Sequence, residues 1–439
     1  MKVAVLGGGF AGLTAAYYLA KKGHSVTVLE KDAVLGGLAS GFKRPGWDWS
    51  VEKTVHHLFT NDHDIRNLAR ETGFKGIYFT TPTTASIYKD DKKTDKRSRN
   101  NYRKIPVDTP QDFLLFPLLP FFVKLRAAFV LAFLKLSPYL KIYERHTAEE
   151  FLKKTMGDQA WEVLWKELFR KKFGKYAVNI LASFMWARIK KRTKKLGYIK
   201  GGFQAFLTHM EDILIRDGVI VRKSFMVRDI KQRLKGFELR ILDISKNAET
   251  ELIFDAVVST LPTPVLLSIS KGIFPADYQK RLSSIQYQHA ISLTIEMKKP
   301  FLEKIYWANI CIADNPIMGV FEHTNFADPK HYGGKHVMYV GNYVDKNDPR
   351  LKLNQEETVK YYLPHLKKIN PKFNLRGAKF NLFKGPFAQP IFDKEFLKNK
   401  PDFETPIKNF YIANLDMTYP YDRGTNYAVS LGKKVSELL

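Results

Sequence analysis

Cysteine is nearly absent: the 439-residue chain has one, Cys311. A single thiol excludes a disulfide framework and any cysteine-rich zinc or iron–sulfur centre, and it suits a reducing cytosol. Acidic residues are outnumbered, 44 Asp+Glu against 71 Lys+Arg, for a formal net charge of +27. That excess is compatible with nucleic acid, an anionic membrane face, acidic substrates or a lysine-rich solubilising surface. No nucleic-acid motif occurs and the basic residues are spread along the chain, so nucleic acid is not an expected partner. The eleven histidines are scattered and support no metal site. A long uninterrupted apolar run is also missing, and Met1-Lys2-Val3-Ala4-Val5-Leu6 is too short for a secretory core, so no targeting segment is expected. What is present excludes disorder: 45% hydrophobic and 13% aromatic residues, with length for two to three domains or one interleaved fold.

The first apolar run breaks into Gly7-Gly8-Gly9-Phe10-Ala11-Gly12, which satisfies G-x-G-x-x-G. A helical pattern follows over 13–22, closed by Gly23, and then a second strand, Ser25-Val26-Thr27-Val28-Leu29, ends in Glu30. Strand, glycine turn, helix, strand and acid within about 30 residues form a dinucleotide-binding unit. Gly7 permits the tight turn, Gly9 lets the backbone approach a pyrophosphate and Gly12 lets helix and strand pack closely. Amides at the helix start point at the anion. Glu30 can accept both ribose hydroxyls, and its charge would repel a 2′-phosphate, which argues against NADP.

Glu30-Lys31-Asp32-Ala33-Val34-Leu35-Gly36-Gly37-Leu38 then places a second glycine turn six residues past the acid. Here the chain resembles the flavoprotein superfamily of amine oxidases, protoporphyrinogen oxidase, carotenoid desaturases and UDP-galactopyranose mutase. The resemblance implies FAD as cofactor, wrapped by the acid, the spacer and the Gly-Gly turn. The segment 46–59, with His56 and His57, looks like the stretch that runs past the isoalloxazine ring. Each histidine is read as either a packed structural residue or a catalytic one. Gly201-Gly202-Phe203 resembles the family turn that opens a helix, and Val227 matches the valine whose backbone meets the adenine. Residues 251–260, ending in Thr260, match the strand that closes the FAD domain, followed by Pro262 and Pro264.

At the far end Asn409-Phe410-Tyr411-Ile412 reads as a strand. It leads into Tyr421-Asp422-Arg423-Gly424-Thr425-Asn426-Tyr427, which resembles the C-terminal flavin segment, where a helix start would stabilise an anionic reduced flavin. The motif departs from the Gly-Ala-rich version of amine oxidases, which argues against an ordinary amine oxidase. Arg423 is read as pairing with Asp422, or as meeting an anionic substrate or the flavin. The resemblance thus nominates Asp422, Arg423 and Asn426 beside the flavin, and His56, His57, Arg423 and Tyr427 as catalytic candidates.

Between these pieces, 89–104 is a polar loop with eight basic and three acidic residues, read as a solvated excursion between strands or an anionic-surface contact. The most apolar stretch follows, 113–136, broken by Pro117 and Pro120 and interrupted by Lys124, Arg126 and Lys135. It is not read as a membrane span. It is either the helical floor or lid of an apolar pocket, the favoured reading, or a helix lying in a membrane interface. Thr147-Ala148-Glu149-Glu150 has the form of a capping box opening an amphipathic helix to Lys172, whose Trp161, Trp165 and Phe169 are core rather than cofactor contacts. Alternating stretches within 285–345 read as strands.

The expected fold is α/β (α+β overall). It has a Rossmann-type FAD-binding domain of the glutathione-reductase-like class, built from 1–85, 196–265 and 385–439. The inserted substrate domain, 86–195 and 266–384, carries helices and an antiparallel sheet. The expected function is an FAD-dependent oxidoreductase taking hydride from an apolar or amphipathic substrate (isoprenoid, porphyrinogen or amine-like) to flavin N5. The alternatives are a non-redox enzyme of the UDP-galactopyranose mutase type and a flavin-binding membrane-surface scaffold. A cytoplasmic location is expected, with peripheral contact to the inner membrane face as its extension.

Overall fold

A computed structural model describes residues 1–89 and 102–439. At its centre is a five-stranded, wholly parallel sheet in the order Ile220–Lys223, Ser25–Glu30, Lys2–Leu6, Ala256–Ser259, Phe410–Ile412. Val3, Ala4, Val5, Val28 and Val257 are fully buried, as continuous apolar strands covered on both faces must be. The helix Phe10–Lys21 crosses between the first two strands, and Gly23 closes it at φ +82°. It packs against the helix Thr425–Ser436 so closely that a Cβ on Gly432 would lie 2.2 Å from Ala11 O. This close contact packs an early helix against a late one.

A three-stranded antiparallel sheet, Phe225–Gln232, Phe237–Asp243 and Ala248–Phe254, hangs beside the parallel one. The stretch 251–260, expected as one strand, is therefore two. It leaves the antiparallel sheet at Asp255 and enters the parallel sheet at Ala256, because Asp255 N bonds Lys2 O at 2.8 Å and pulls the chain onto the first strand.

A seven-stranded sheet runs Lys379–Pro390, Tyr287–Met297, His336–Val344, Gly319–Glu322, Ile305–Ile310, Thr83–Lys89, Tyr102–Pro106. It is antiparallel except where Ile305–Ile310 runs parallel to Thr83–Lys89, so the expected all-antiparallel sheet is mixed. The boundaries drawn at 85/86 and 384/385 fall inside two of these strands. The polar loop lies between two paired strands, and its residues 90–101 are outside the described residues.

The helical block occupies 110–191. Thr147 accepts from Glu150 N and Glu150 returns the bond to Thr147 N, completing the capping box. The helix it opens stops at Met156, because Gly157 sits at φ +93°. The chain then continues through a wide π-helical turn, Trp161–Trp165, before the helix Lys166–Phe173. One long amphipathic helix was expected here; the positive φ at Gly157 breaks it. Trp161 and Phe169 are buried in the core as read, while Trp165 is half-buried and, like Phe169, also faces a cavity.

The stretch 113–136 forms the helix Phe121–Leu136 behind a short turn, Pro110–Leu114. Of the helix residues only Ala127, Val130 and Leu134 are buried. Among the described residues no helix is long and apolar enough to cross a membrane.

Candidate functional site

The glycine turn is built so that two of its positions admit no side chain. Gly7 stands at φ +102°, and a Cβ on Gly12 would lie 1.9 Å from Gly7 O. Gly9 differs: a Cβ there would meet nothing closer than Gly36 O at 3.9 Å, which leaves open space in front of the turn. The helix Phe10–Lys21 has no capping side chain and no acid in its first turn, so its free amides and positive end face that space. The Phe10 side chain itself is core, edge-on to Phe203 and Phe206, and Ala11 faces Gly432.

The second turn is stitched to the first by Gly36 N donating to Gly8 O at 2.8 Å. Glu30 is buried and accepts from Gly8 N at 2.7 Å and Asp32 N at 2.9 Å. Burial pushes its carboxyl up, against the pull of those two amides. A carboxylate has acceptor sites beyond these two bonds. Thr260 Oγ1 donates to Leu6 O at 2.9 Å and would lie 2.6 Å from a Cβ on Gly7. Val227 lies on the strand just after Ser224, whose N–H donates to Asp32 O at 3.1 Å, and this bond ties that strand to the loop after Glu30. Lys31 and Gly37 are exposed, and Leu38 O accepts from Thr54 Oγ1 at 3.0 Å. An open helix start, a glycine-only approach and an acid at the end of the second strand fit a dinucleotide such as FAD.

A cavity of about 250 Å³ brings the remaining candidates together. His56, His57, Asp422, Arg423, Asn426 and Tyr427 all line it, although 56–57 and 422–427 lie far apart in the chain. His56 Nδ1 is 2.7 Å from Thr54 O, and the His57 ring stands 5.5 Å from that of Trp307. Burial pushes both imidazoles down to about 3, with the nearby guanidinium of Arg423 (His56) and those of Arg192, Arg188 and Arg423 (His57) adding to it. Tyr427 stacks on Tyr421 with ring centres 4.8 Å apart, and Lys191 Nζ sits 5.3 and 5.5 Å from the two rings. The Asn426 side chain is committed elsewhere: it accepts from Ile65 N and donates to Asp64, at 3.1 Å each, bracing the helix His63–Glu71.

Asp422 is the hub of the wall. Lys172 Nζ approaches its Oδ2 at 2.6 Å and Arg188 Nη1 at 3.1 Å. Burial alone would raise this carboxyl; the cations Lys172, Arg188 and Arg423 more than offset it and hold it below the ordinary value. The Arg423 guanidinium donates to Tyr343 Oη at 2.6 Å, while its backbone N–H donates to Asp422 Oδ1 at 3.0 Å. Lys172, Arg188, Lys191, Arg192, Trp307 and Tyr343 were not nominated from sequence. Their signal was thin: Arg188 and Lys191 are spaced i, i+3 on one helix and Arg192 is its C-cap, with Lys172 and Tyr343 on other elements.

The apolar stretch was expected first as the floor or lid of the pocket. That reading is corrected, because no residue of 113–140 lines the cavity. The helix Phe121–Leu136 stands one layer out, behind the helix Ala182–Lys191 that does line it. Lys135 Nζ holds the two together by donating to Lys190 O at 3.0 Å and Arg192 O at 2.6 Å.

The sequence pattern of the family described as flavin containing amine oxidoreductase matches residues 10–439. The chain belongs to that family. This amine oxidoreductase family member is 22% identical, over its full length and 96% of the relative, to 15-cis-phytoene desaturase of Synechococcus elongatus. In structure it superposes on an oxidoreductase from Methanosarcina mazei with a TM-score of 0.75 at 18% identity, both chains fully covered. It superposes on reduced UDP-galactopyranose mutase with a TM-score of 0.73 at 14% identity, covering 99% of this chain and 93% of that one. The structural likenesses establish the fold. This family member is thus an enzyme with FAD as its cofactor, and the reading as a scaffold without turnover falls away.

Proposed function

We propose that the cavity beside Asp422 is the substrate site of an FAD-dependent oxidoreductase acting on an amphipathic molecule. The observation that carries it is the meeting of His56, His57 and the 421–427 segment on one cavity wall. Gly7, Gly9, Gly12, Glu30, Gly36 and Gly37 would hold the adenosine diphosphate part of FAD, with Val227 and Thr260 flanking it. The Thr54–His57 wall and the start of the helix Thr425–Ser436 would hold the ring end. When bound, FAD accepts a hydride at N5 and passes the electrons to an acceptor.

The chain's own groups do the rest. Leu168, Phe169, Phe173, Phe184 and Phe321 exclude water and orient an apolar body. Imidazoles pushed down to about 3 are poor bases near neutral pH, so His56 and His57 act as neutral walls and acceptors. Tyr427 stays protonated, since burial pushes its phenol up. Asp62, on the same wall and pushed up to about 6 by burial, is the carboxyl suited to take the proton that leaves with a hydride.

Purified protein is expected to carry FAD. Anaerobic mixing with protoporphyrinogen, an amphipathic molecule with two propionates, should bleach the flavin. Flavin that stays oxidised with it, while prereduced enzyme isomerises UDP-galactopyranose without net redox, would sink the redox reading in favour of the mutase type. The paired cations on the wall are the observation that keeps this second reading alive.

The outer helix supports a location at a membrane surface. Leu115, Phe122, Phe129 and Leu136 are 80%, 80%, 74% and 78% exposed, and Leu114, Phe121, Leu125, Phe133 and Tyr139 extend the same patch. Its cations Lys124, Arg126 and Lys135 donate to backbone carbonyls, so their charge is not cancelled by carboxylates. An apolar face carrying positive charge suits the headgroup boundary of an anionic membrane. The protein is expected to co-sediment with phosphatidylglycerol–phosphatidylcholine vesicles. The double change Phe122→Asp with Phe129→Asp should weaken that binding about tenfold or more. Undiminished co-sedimentation of the variant would refute the docking face.

A further inference from the structure

The cavity wall is out of electrostatic balance. Five cations line it, Lys172, Arg188, Lys191, Arg192 and Arg423, against two carboxylates, Asp62 and Asp422. Asp422 is already shared between Lys172 and Arg188. Arg192 is half-buried and donates to a hydroxyl, Thr84 Oγ1, at 3.1 Å, and burial and Arg188 push its pKa down against the pull of Asp108. Arg188 and Arg192 lie 5.9 and 5.7 Å from the ring centre of the same residue, Trp307, so two guanidinium groups flank one indole. Like charges held this close in a partly desolvated space repel unless an anion lies between or beside them. Ser292 Oγ and His57 Nδ1, on the same wall, are buried without a hydrogen-bond partner.

From this juxtaposition we infer that the substrate carries an anionic head, a carboxylate or a phosphate, which docks against Arg188, Arg192 and Lys172 while its apolar body lies along Phe169, Phe173 and Phe184. The inference rests on reading this cavity as the substrate site, and it names the substrate class. Guanidinium groups are the side chains suited to such a head, because their planar fork meets two oxygens at once. It also excludes a protonated amine, which the net positive wall would repel.

The test is calorimetric and needs no turnover, so it stays readable if the flavin chemistry fails. Holoenzyme is titrated with dodecanoate, dodecyl phosphate, dodecanol and UDP. Either charged amphiphile is expected to bind about tenfold or more tighter than dodecanol. That preference should shrink as salt is raised and should largely vanish in Arg192→Gln. Dodecanoate against dodecyl phosphate then distinguishes the two heads. Equal binding of dodecanol and both anions overturns the inference, as does binding of UDP with neither amphiphile. A third result also overturns it: Arg192→Gln shifts the flavin's reduction potential and leaves the amphiphile preference intact, which would assign the charges to the flavin. The wild-type ligand series and its salt dependence decide the matter should Arg192→Gln fail to fold.

Discussion

Replacing Gly12 by alanine is expected to give a chain that neither holds FAD nor folds stably, whereas Gly9→Ala should fold normally and still lose FAD. The two glycines belong to one motif but answer to different neighbours. A Cβ at position 12 would stand 1.9 Å from Gly7 O, 3.1 Å from Gly7 C and 3.3 Å from Val5 Cγ1. Two of these are backbone atoms of the turn and cannot swing aside, so the cost should exceed the about 3 kcal/mol at the upper end of ordinary overpacking. Gly9 has φ −80°, which any residue adopts, and open space before it. An added methyl there disturbs no protein atom; it fills the room the diphosphate would use. Flavin absorbance per chain after desalting, with urea midpoints of the apoproteins, separates the two effects. A Gly9→Ala protein that keeps full FAD would remove the diphosphate from the turn.

Glu52→Gln is expected to change how stability depends on pH. The Glu52 carboxylate is buried, accepting from Phe203 N at 2.8 Å and Tyr198 Oη at 2.9 Å, and none of its hydrogen-bond partners is a cation. Burial pushes it up to about 7 from an ordinary 4.5. A raised carboxyl favours the folded state while protonated. Its contribution is whole below the unfolded value and is lost as pH rises through the folded one. Wild type should therefore lose about 3 kcal/mol relative to Glu52→Gln between about pH 4 and about pH 8. The other shifted groups titrate alike in both proteins and cancel in the difference. Thermal melts across that range measure it. A constant offset, or Gln losing ground as pH rises, would mean that the start of the helix Phe203–Arg216 stabilises the ionised carboxylate more than burial opposes it.

What could be read from sequence shares one property: the signal and its cause are neighbours in the chain. The glycine turn, the Gly23 stop, the Thr147 capping box and the acid at Glu30 each act within about four residues or one strand–helix–strand unit. Where distant segments intervene, the reading failed. One strand at 251–260 became two because Lys2 competes for Asp255. The helix to Lys172 broke at a glycine whose φ a helical pattern does not reveal. The strand Ile77–Thr80 passed unnoticed, since its pairing partner, Leu196–Ile199, lies far along the chain. Asn426 was nominated for the cofactor, yet its amide serves a helix 361 positions away in sequence, at Ile65.

By itself the sequence determined that this is a dinucleotide-binding chain, because the glycines, the acid and their spacing are local demands of backbone geometry, and the resemblance of the second glycine turn to a flavoprotein superfamily implied FAD. It also set the excess of positive charge and the apolar stretch, but not where either would act. Tertiary structure decided both. An apolar helix with no polar face has no direction written into its pattern, and only packing on the helix Ala182–Lys191 turned Phe122 and Phe129 outward. Likewise Lys172, Arg188, Arg192 and Arg423 are single charges among 71 until the fold sets them on one wall around Asp422. Electrostatic energy depends on separation in space and on burial, and neither quantity exists before the chain has folded.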